Sequence, residues 1–138
     1  MRYLKQEPLM DVRGKPFIVD PINPTDELAG PHTVIGMVQR LVQAHNNQSG
    51  LELSVNDYRT YARIEDILDG EPTKGWYQFD NGDYELLEKI VTYIAPRMMR
   101  MEIARNSPAI TDAVKNATNH MPEELKDSKT KTAEGIEA

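Results

Sequence analysis

Five of the nine prolines fall within the first 31 residues, at positions 8, 16, 21, 24 and 31. Each proline fixes its own φ, lacks an amide hydrogen and pushes the residue before it toward extended geometry. No long helix can form in such a segment. Leu9-Met10-Asp11-Val12 and Phe17-Ile18-Val19 flank Arg13-Gly14-Lys15, a pattern that suits a small hairpin around a glycine turn. An extended arm lying over the body, or over another subunit, fits the same residues.

Past the last of these prolines the pattern changes to helical period. Val34, Met37, Val38, Leu41, Val42 and His45 recur at the spacing of one buried helix face, with Thr33 placed to cap it. Asn46 to Gly50 reads as a loop, and Leu51-Glu52-Leu53 as a short alternating strand. Ser54 and Asp57 form an acidic capping box for a second helix, whose apolar side is Tyr58, Tyr61, Ile64, Ile67 and Leu68 and which stops at Gly70 in the manner of a C′ glycine. Trp76-Tyr77-Gln78-Phe79 is aromatic and short, as a strand would be. Asp80 is expected to cap the next helix, with Asp83 at its N3 position. Tyr84, Leu87, Ile90, Val91 and Ile94 make that helix's stripe, which breaks before Pro96. Arg97 to Asn106 continues as a helix, and Ser107-Pro108 opens another, to about Asn119.

Apolar content collapses from Met121 onward, and over 122–138 Leu125 and Ile136 are the only large apolar groups among many charges. The expected organisation is therefore an extended proline-rich arm over 1–31, a helical domain over 32–120 and a disordered tail over 121–138. The fold class is mainly α, a small bundle of four to five short helices with a minor β element.

At 138 residues one domain is expected. The chain has no cysteine, which excludes disulfides, thiolate nucleophiles and the cysteine-based zinc and iron–sulfur sites. A formal charge of −6 argues against nucleic acid as a partner, because counterion release needs clustered cations. The first eight residues have no apolar core of a secretory signal, and the longest nearly apolar stretch, Val34 to Val42, is far shorter than the roughly 20 residues of a bilayer span. The expectation is a cytoplasmic protein, or one in a particle assembled there.

Catalytic patterns do not emerge. His32, His45 and His120 are far apart, and none has a second ligand at helical spacing; His45 is expected at a helix end or core margin. No H-E-x-x-H, G-x-S-x-G or P-loop motif is present. Asp80-Asn81-Gly82-Asp83 invites a calcium reading, but its glycine comes third where a calcium loop needs it sixth. The tyrosines and Trp76 lack the interleaved cations of a base-stacking platform and are expected in the core. No cofactor is implied, and the expectation is a protein that is not an enzyme.

One segment stands apart. Between Pro96 and Arg105, Arg97, Arg100 and Arg105 face only Glu102, and Met98, Met99 and Met101 supply three of the seven methionines. Methionine adapts to irregular surfaces and arginine is enriched at interfaces. Arg97, Met98, Arg100, Met101 and Arg105 are therefore the candidate partner-binding residues. If they are free on the surface, reversing charge at Arg97 and Arg100 should abolish docking and leave the thermal midpoint nearly unchanged. The ordinary alternative is that the methionines fill a core seam and the arginines are solvated or pair with acids.

The stretch Arg59-Thr60-Tyr61-Ala62-Arg63-Ile64, followed by Tyr77-Gln78-Phe79-Asp80-Asn81-Gly82-Asp83-Tyr84-Glu85-Leu86-Leu87, is similar in layout to small accessory and structural proteins of tailed bacteriophages. In those proteins a helix, a short extended aromatic or acidic step and a second helix ending near a proline recur. The resemblance covers about residues 50 to 115 and implies a non-enzymatic role in assembly, through docking to copies of itself or to other virion or complex components, or in control of a host component. The alternative function is a soluble regulator that binds a host enzyme or transcription component.

Overall fold

A computed structural model describes residues 1–45 and 50–126. The chain runs β1 (Arg2–Lys5), β2 (Ile18–Val19), β3 (Gly30–Pro31), α1 (Val34–His45), α2 (Val55–Asp69), β4 (Trp76–Phe79), α3 (Asn81–Ile94), a 3₁₀ turn (Ala95–Arg97), α4 (Met101–Arg105) and α5 (Ser107–Lys115). The fold is mainly α with two minor sheets, as expected.

Helix α3 is the hub, packed against α1, α2 and α5. Leu87, Ile90, Val91 and Ile94 on its stripe are wholly buried, and they meet Met37 and Leu41 of α1 and Ile64 of α2 in one core. The capping predictions for α1 and α2 hold. Thr33 Oγ1 accepts the Gly36 amide at 3.0 Å; Ser54 Oγ accepts the Asp57 amide at 3.1 Å while the Asp57 carboxylate accepts the Ser54 amide at 3.0 Å. Gly70 ends α2 differently from expectation, in extended geometry with φ −82°, so no left-handed residue is needed there. Tyr58 also departs from the expected stripe and stands outside.

At α3 the capping prediction is corrected. Asp80 supplies only its carbonyl, to the Tyr84 amide at 2.9 Å, and no side-chain cap. Asp83 turns inward and is held by Arg63 through Nη2–Oδ1 at 2.9 Å and Nε–Oδ2 at 3.2 Å. A carboxylate expected to serve a helix end thus ties α2 to α3, because a two-pronged guanidinium offers it more than one backbone amide would.

Strand β4 pairs antiparallel with β1, Leu4 opposite Tyr77 and Arg2 opposite Phe79. On its other edge β1 exchanges two backbone bonds with Thr118 through Tyr3, at 2.9 and 3.2 Å. The first strand is therefore enclosed between β4 and the end of the helical body. Arg2 seals this join: Nη2 donates to the Ala117 carbonyl at 2.9 Å, and its guanidinium lies 4.9 Å from the Tyr84 ring centre. The Tyr84 hydroxyl donates to the Val114 carbonyl at 2.6 Å, and burial holds its ionisation far above the normal range.

The rest of the arm combines both expectations. A hairpin turns at Gly14, φ 79°; the Asp11 amide donates to the Lys15 carbonyl at 2.7 Å, and Asp11 Oδ1 accepts the Arg13 and Lys15 amides at 2.8 and 3.0 Å. These donors hold the Asp11 carboxyl below its usual value. The arm then lies along the body, with β2 paired to β3. Leu9, Phe17 and Val19 join the core.

Three boundaries shift, and the simplest is that α5 ends at Lys115, short of the expected Asn119. Residues 98–100 are not helical: Met98 is extended, with φ −65° and ψ 138°, and α4 keeps only five residues. The tail does not begin at Met121, because 123–126 make a helical turn and Leu125 is buried. Lys74 Nζ donates to the Glu124 carbonyl at 3.2 Å and fixes that turn. The remainder of the predicted tail, 127–138, and most of the loop at 46–50 lie outside the described residues.

Candidate docking surface

The extended step at 98–100 exists because Arg100 turns inward. Its guanidinium grips Asp26 through Nη2–Oδ2 at 2.7 Å and Nη1–Oδ1 at 3.2 Å. Nη2 also donates to the Asp20 carbonyl at 2.6 Å, and Nε meets Glu102 Oε1 at 3.3 Å. The second Glu102 oxygen accepts the Asp20 amide at 2.9 Å, so both backbone groups of Asp20 are held. The result is a polar node that fastens the arm to α4. The Arg100 guanidinium is the main cause that pulls the Asp26 carboxyl down from 3.8 to about 2. In turn, the Asp26 carboxylate raises the Arg100 guanidinium.

Around this node the side chains that do not fit inside point to solvent. Ile18 is 59% exposed and Ile22 73%, each two residues from Asp20; Met99 is 96% exposed and Met101 71%, one on either side of Arg100. The alternation of Phe17, Ile18 and Val19 explains Ile18: its neighbours are buried and extended chain sends it the other way. Beside this group a cleft of about 500 Å³ opens between the hairpin and α4, lined by Val12, Ile18, Asp20, Glu102 and Arg105 among others. The Val12 amide donates to Asn106 Oδ1 at 3.1 Å, and both residues line the cleft.

The five candidate residues divide. Met101 and Arg105 are exposed on this surface. Met98 is half-buried against the core and borders a shallow depression with Asp26, Leu28, Arg40 and Gln43. Arg97 folds back over its own helix, with Nη1 donating to the Tyr93 carbonyl at 2.8 Å and the guanidinium 3.9 Å from the Tyr93 ring centre. Arg100 is the correction, since each of its three nitrogens is bonded within the fold and the side chain is not free to meet a partner. Sequence reading missed Ile18 and Ile22, although the strand-like alternation at 17–19 was a usable signal for the first. It had no signal for the Asp26–Arg100 contact, which spans 74 positions.

No protein-family model, curated protein or solved structure matches this chain. Among the described residues no group of three or more His, Asp or Glu side chains is placed to hold a metal ion, and no helix is long and apolar enough to cross a membrane.

The charge is unevenly distributed. Residues 52–94 carry ten acidic and four basic side chains, a net −6 that equals the whole formal charge of the chain. Residues 1–51 are balanced, with five of each sign, and 95–126 carry five basic and four acidic side chains. The arm–α4 surface therefore lies in the part of the chain that is not acidic. Arg13 and Arg105 at its cleft make no ion pair among the described residues.

Proposed function

We propose that this chain is a non-enzymatic docking protein of the kind that tailed bacteriophages use in assembly, a virion, tail or head component or an assembly factor, working in the host cytoplasm or in the particle. The observation that carries the reading is the group of Ile18, Ile22, Met99 and Met101, exposed around a node whose hydrogen bonds hold the backbone beneath them. Large apolar side chains gathered on a surface mark interaction sites, and a pre-ordered scaffold lowers the entropy lost on binding. Flexible methionines at the centre suit an apolar protein partner of uneven shape.

The alternative, a regulator that meets a basic site on a host enzyme or transcription component, draws its support from the acid concentrated in 52–94. Affinity capture from the cells that make the protein separates the two. With Met99→Asp and Met101→Asp together, the docking reading expects captured protein to fall at least tenfold, as for interface anchors, with circular dichroism unchanged. Full capture by that variant, and loss only when acids in 52–94 are neutralised, would replace this reading with the regulator.

A further inference from the structure

We infer that Met99 and Met101 form a redox-modification site, where peroxide converts both thioethers to sulfoxides in the folded chain and the arm–α4 surface loses its apolar centre. The inference rests on the docking reading and adds a control on that surface.

The methionines of this chain stand in very different surroundings. Met37 is wholly buried in the core, and Met98 is half-buried against it. Met1 and Met10 are 48% and 45% exposed, against 96% for Met99 and 71% for Met101. The backbone accounts for the contrast between neighbours. Met98 has φ −65° and ψ 138°, and Arg100 has φ −73° and ψ 111°. Extended chain sends alternate side chains to opposite sides. Met98 turns to the core and Arg100 to Asp26, so Met99 between them is turned outward. The contact that fastens the arm therefore also holds Met99 in solvent. Met101 opens α4, more than half a helical turn from the wholly buried Ile103, and it too faces outward.

The chemistry needs only that the sulfur meet the oxidant. A sulfur lone pair attacks one oxygen of hydrogen peroxide; the S–O bond forms as the O–O bond breaks. The hydroxide released takes the remaining hydroxyl proton and leaves as water. Sulfur is oxidised and peroxide is reduced. The product is a polar, chiral side chain in place of a flexible apolar one, and reductases specific for each epimer restore it. Its oxygen would have to shed water to enter an apolar contact, which costs free energy unless a donor receives it. The fold does not use either exposed side chain in its core, so the folded state should tolerate both oxygens. A partner seated on the surface would cover both sulfurs, so docking and oxidation exclude one another.

The test uses the full chain, a limiting dose of hydrogen peroxide, and a Met99→Leu, Met101→Leu variant that stays apolar without an oxidisable sulfur at either position. Peptide mass spectrometry should place the first oxygens on Met99 and Met101, ahead of Met1 and Met10, with Met37 unmodified. The melting midpoint should stay within about 2 °C. Treated wild type should leave a hydrophobic-interaction column earlier than untreated, and the treated leucine variant should keep its place. Captured protein should fall about fivefold or more after peroxide and recover with the two reductases, while the leucine variant's capture is unchanged by peroxide. First oxidation at Met1, Met10 or Met37 overturns the inference. So does unfolding of the doubly oxidised chain, or full capture by it. A loss of capture that the reductases do not reverse, or that the leucine variant shares on treatment, overturns it as well. Those results leave the docking reading standing if Met99→Asp with Met101→Asp still loses capture. Full capture by that aspartate variant would remove both.

Discussion

Replacing Phe17 by alanine should destabilise the whole protein, although the residue sits in a proline-bounded arm. Phe17 is 2% exposed, and its ring meets His32 edge-on with centroids 5.7 Å apart. Removing a buried phenylalanine costs about 3–5 kcal/mol through lost transfer energy and the cavity left behind. For a chain of 138 residues the unfolding entropy near 60 °C is about 0.29 kcal/mol per kelvin, so the midpoint should fall by about 10–17 °C. Ile18→Ala is the internal control, since its side chain points to solvent; a surface change of this kind stays within about 0.5 kcal/mol, under about 2 °C. The assay is thermal melting by far-ultraviolet circular dichroism on both variants. A shift under 2 °C for Phe17→Ala would mean that the arm is a detachable appendage and not part of the core, and the account of the arm–α4 node would fail with it.

Other consequences follow from the same structure. Arg100→Glu should lower the melting midpoint clearly, while Arg97→Glu, which loses an exposed stacking contact of about 0.5–1 kcal/mol and one bond to the Tyr93 carbonyl, should lower it less; equal effects would contradict the assignment of Arg100 to the node. The Asp26 carboxyl is depressed to about 2 in the folded state, below its ordinary 3.8. Its ionised form therefore contributes stability that is present above pH 4 and is lost as pH falls through about 2. Urea midpoints measured from pH 5 to 2 should show this loss in wild type and less of it in Asp26→Asn; identical slopes would refute the linkage. Gly50 has φ 118°, and a Cβ there would collide with the Tyr93 hydroxyl, so Gly50→Ala should destabilise. Adding Tyr93→Phe should recover part of the loss but not the backbone strain, and full additivity of the two changes would contradict the contact. Leu125→Ala should cost about 2–5 kcal/mol in chemical denaturation if 123–126 belongs to the fold, and nothing if that turn is incidental.

Much of the helical body was legible because it is written locally. Thr33, Ser54 and Asp57 cap through neighbours three residues away, and the stripes of α1 and α3 need only their own periodicity. What escaped was written at long range. Arg2 to Lys5 is too short to announce a strand until it meets Trp76 to Phe79. Asp83 looked like a first-turn carboxylate until Arg63 reached it from α2. Helical propensity at 97–106 gave way at 98–100 because Arg100 satisfies Asp26 and both ends of the Asp20 peptide backbone with Glu102's help. Proline count rightly denied the arm a helix, but it carried no information on whether Leu9, Phe17 and Val19 would be buried. The candidate site suffered in the same way: the Arg/Met composition pointed to the correct neighbourhood, while which residues face outward depended on the node.

Methionine-methyl NMR tests the central claim most directly. With ¹³C-methyl methionine, Met99 and Met101 report from the proposed surface and the wholly buried Met37 serves as reference. As protein concentration is raised, or as captured partner is added, the Met99 and Met101 signals should shift and broaden while Met37 stays fixed. Association with both exposed methionine signals sharp and unmoved would contradict the account.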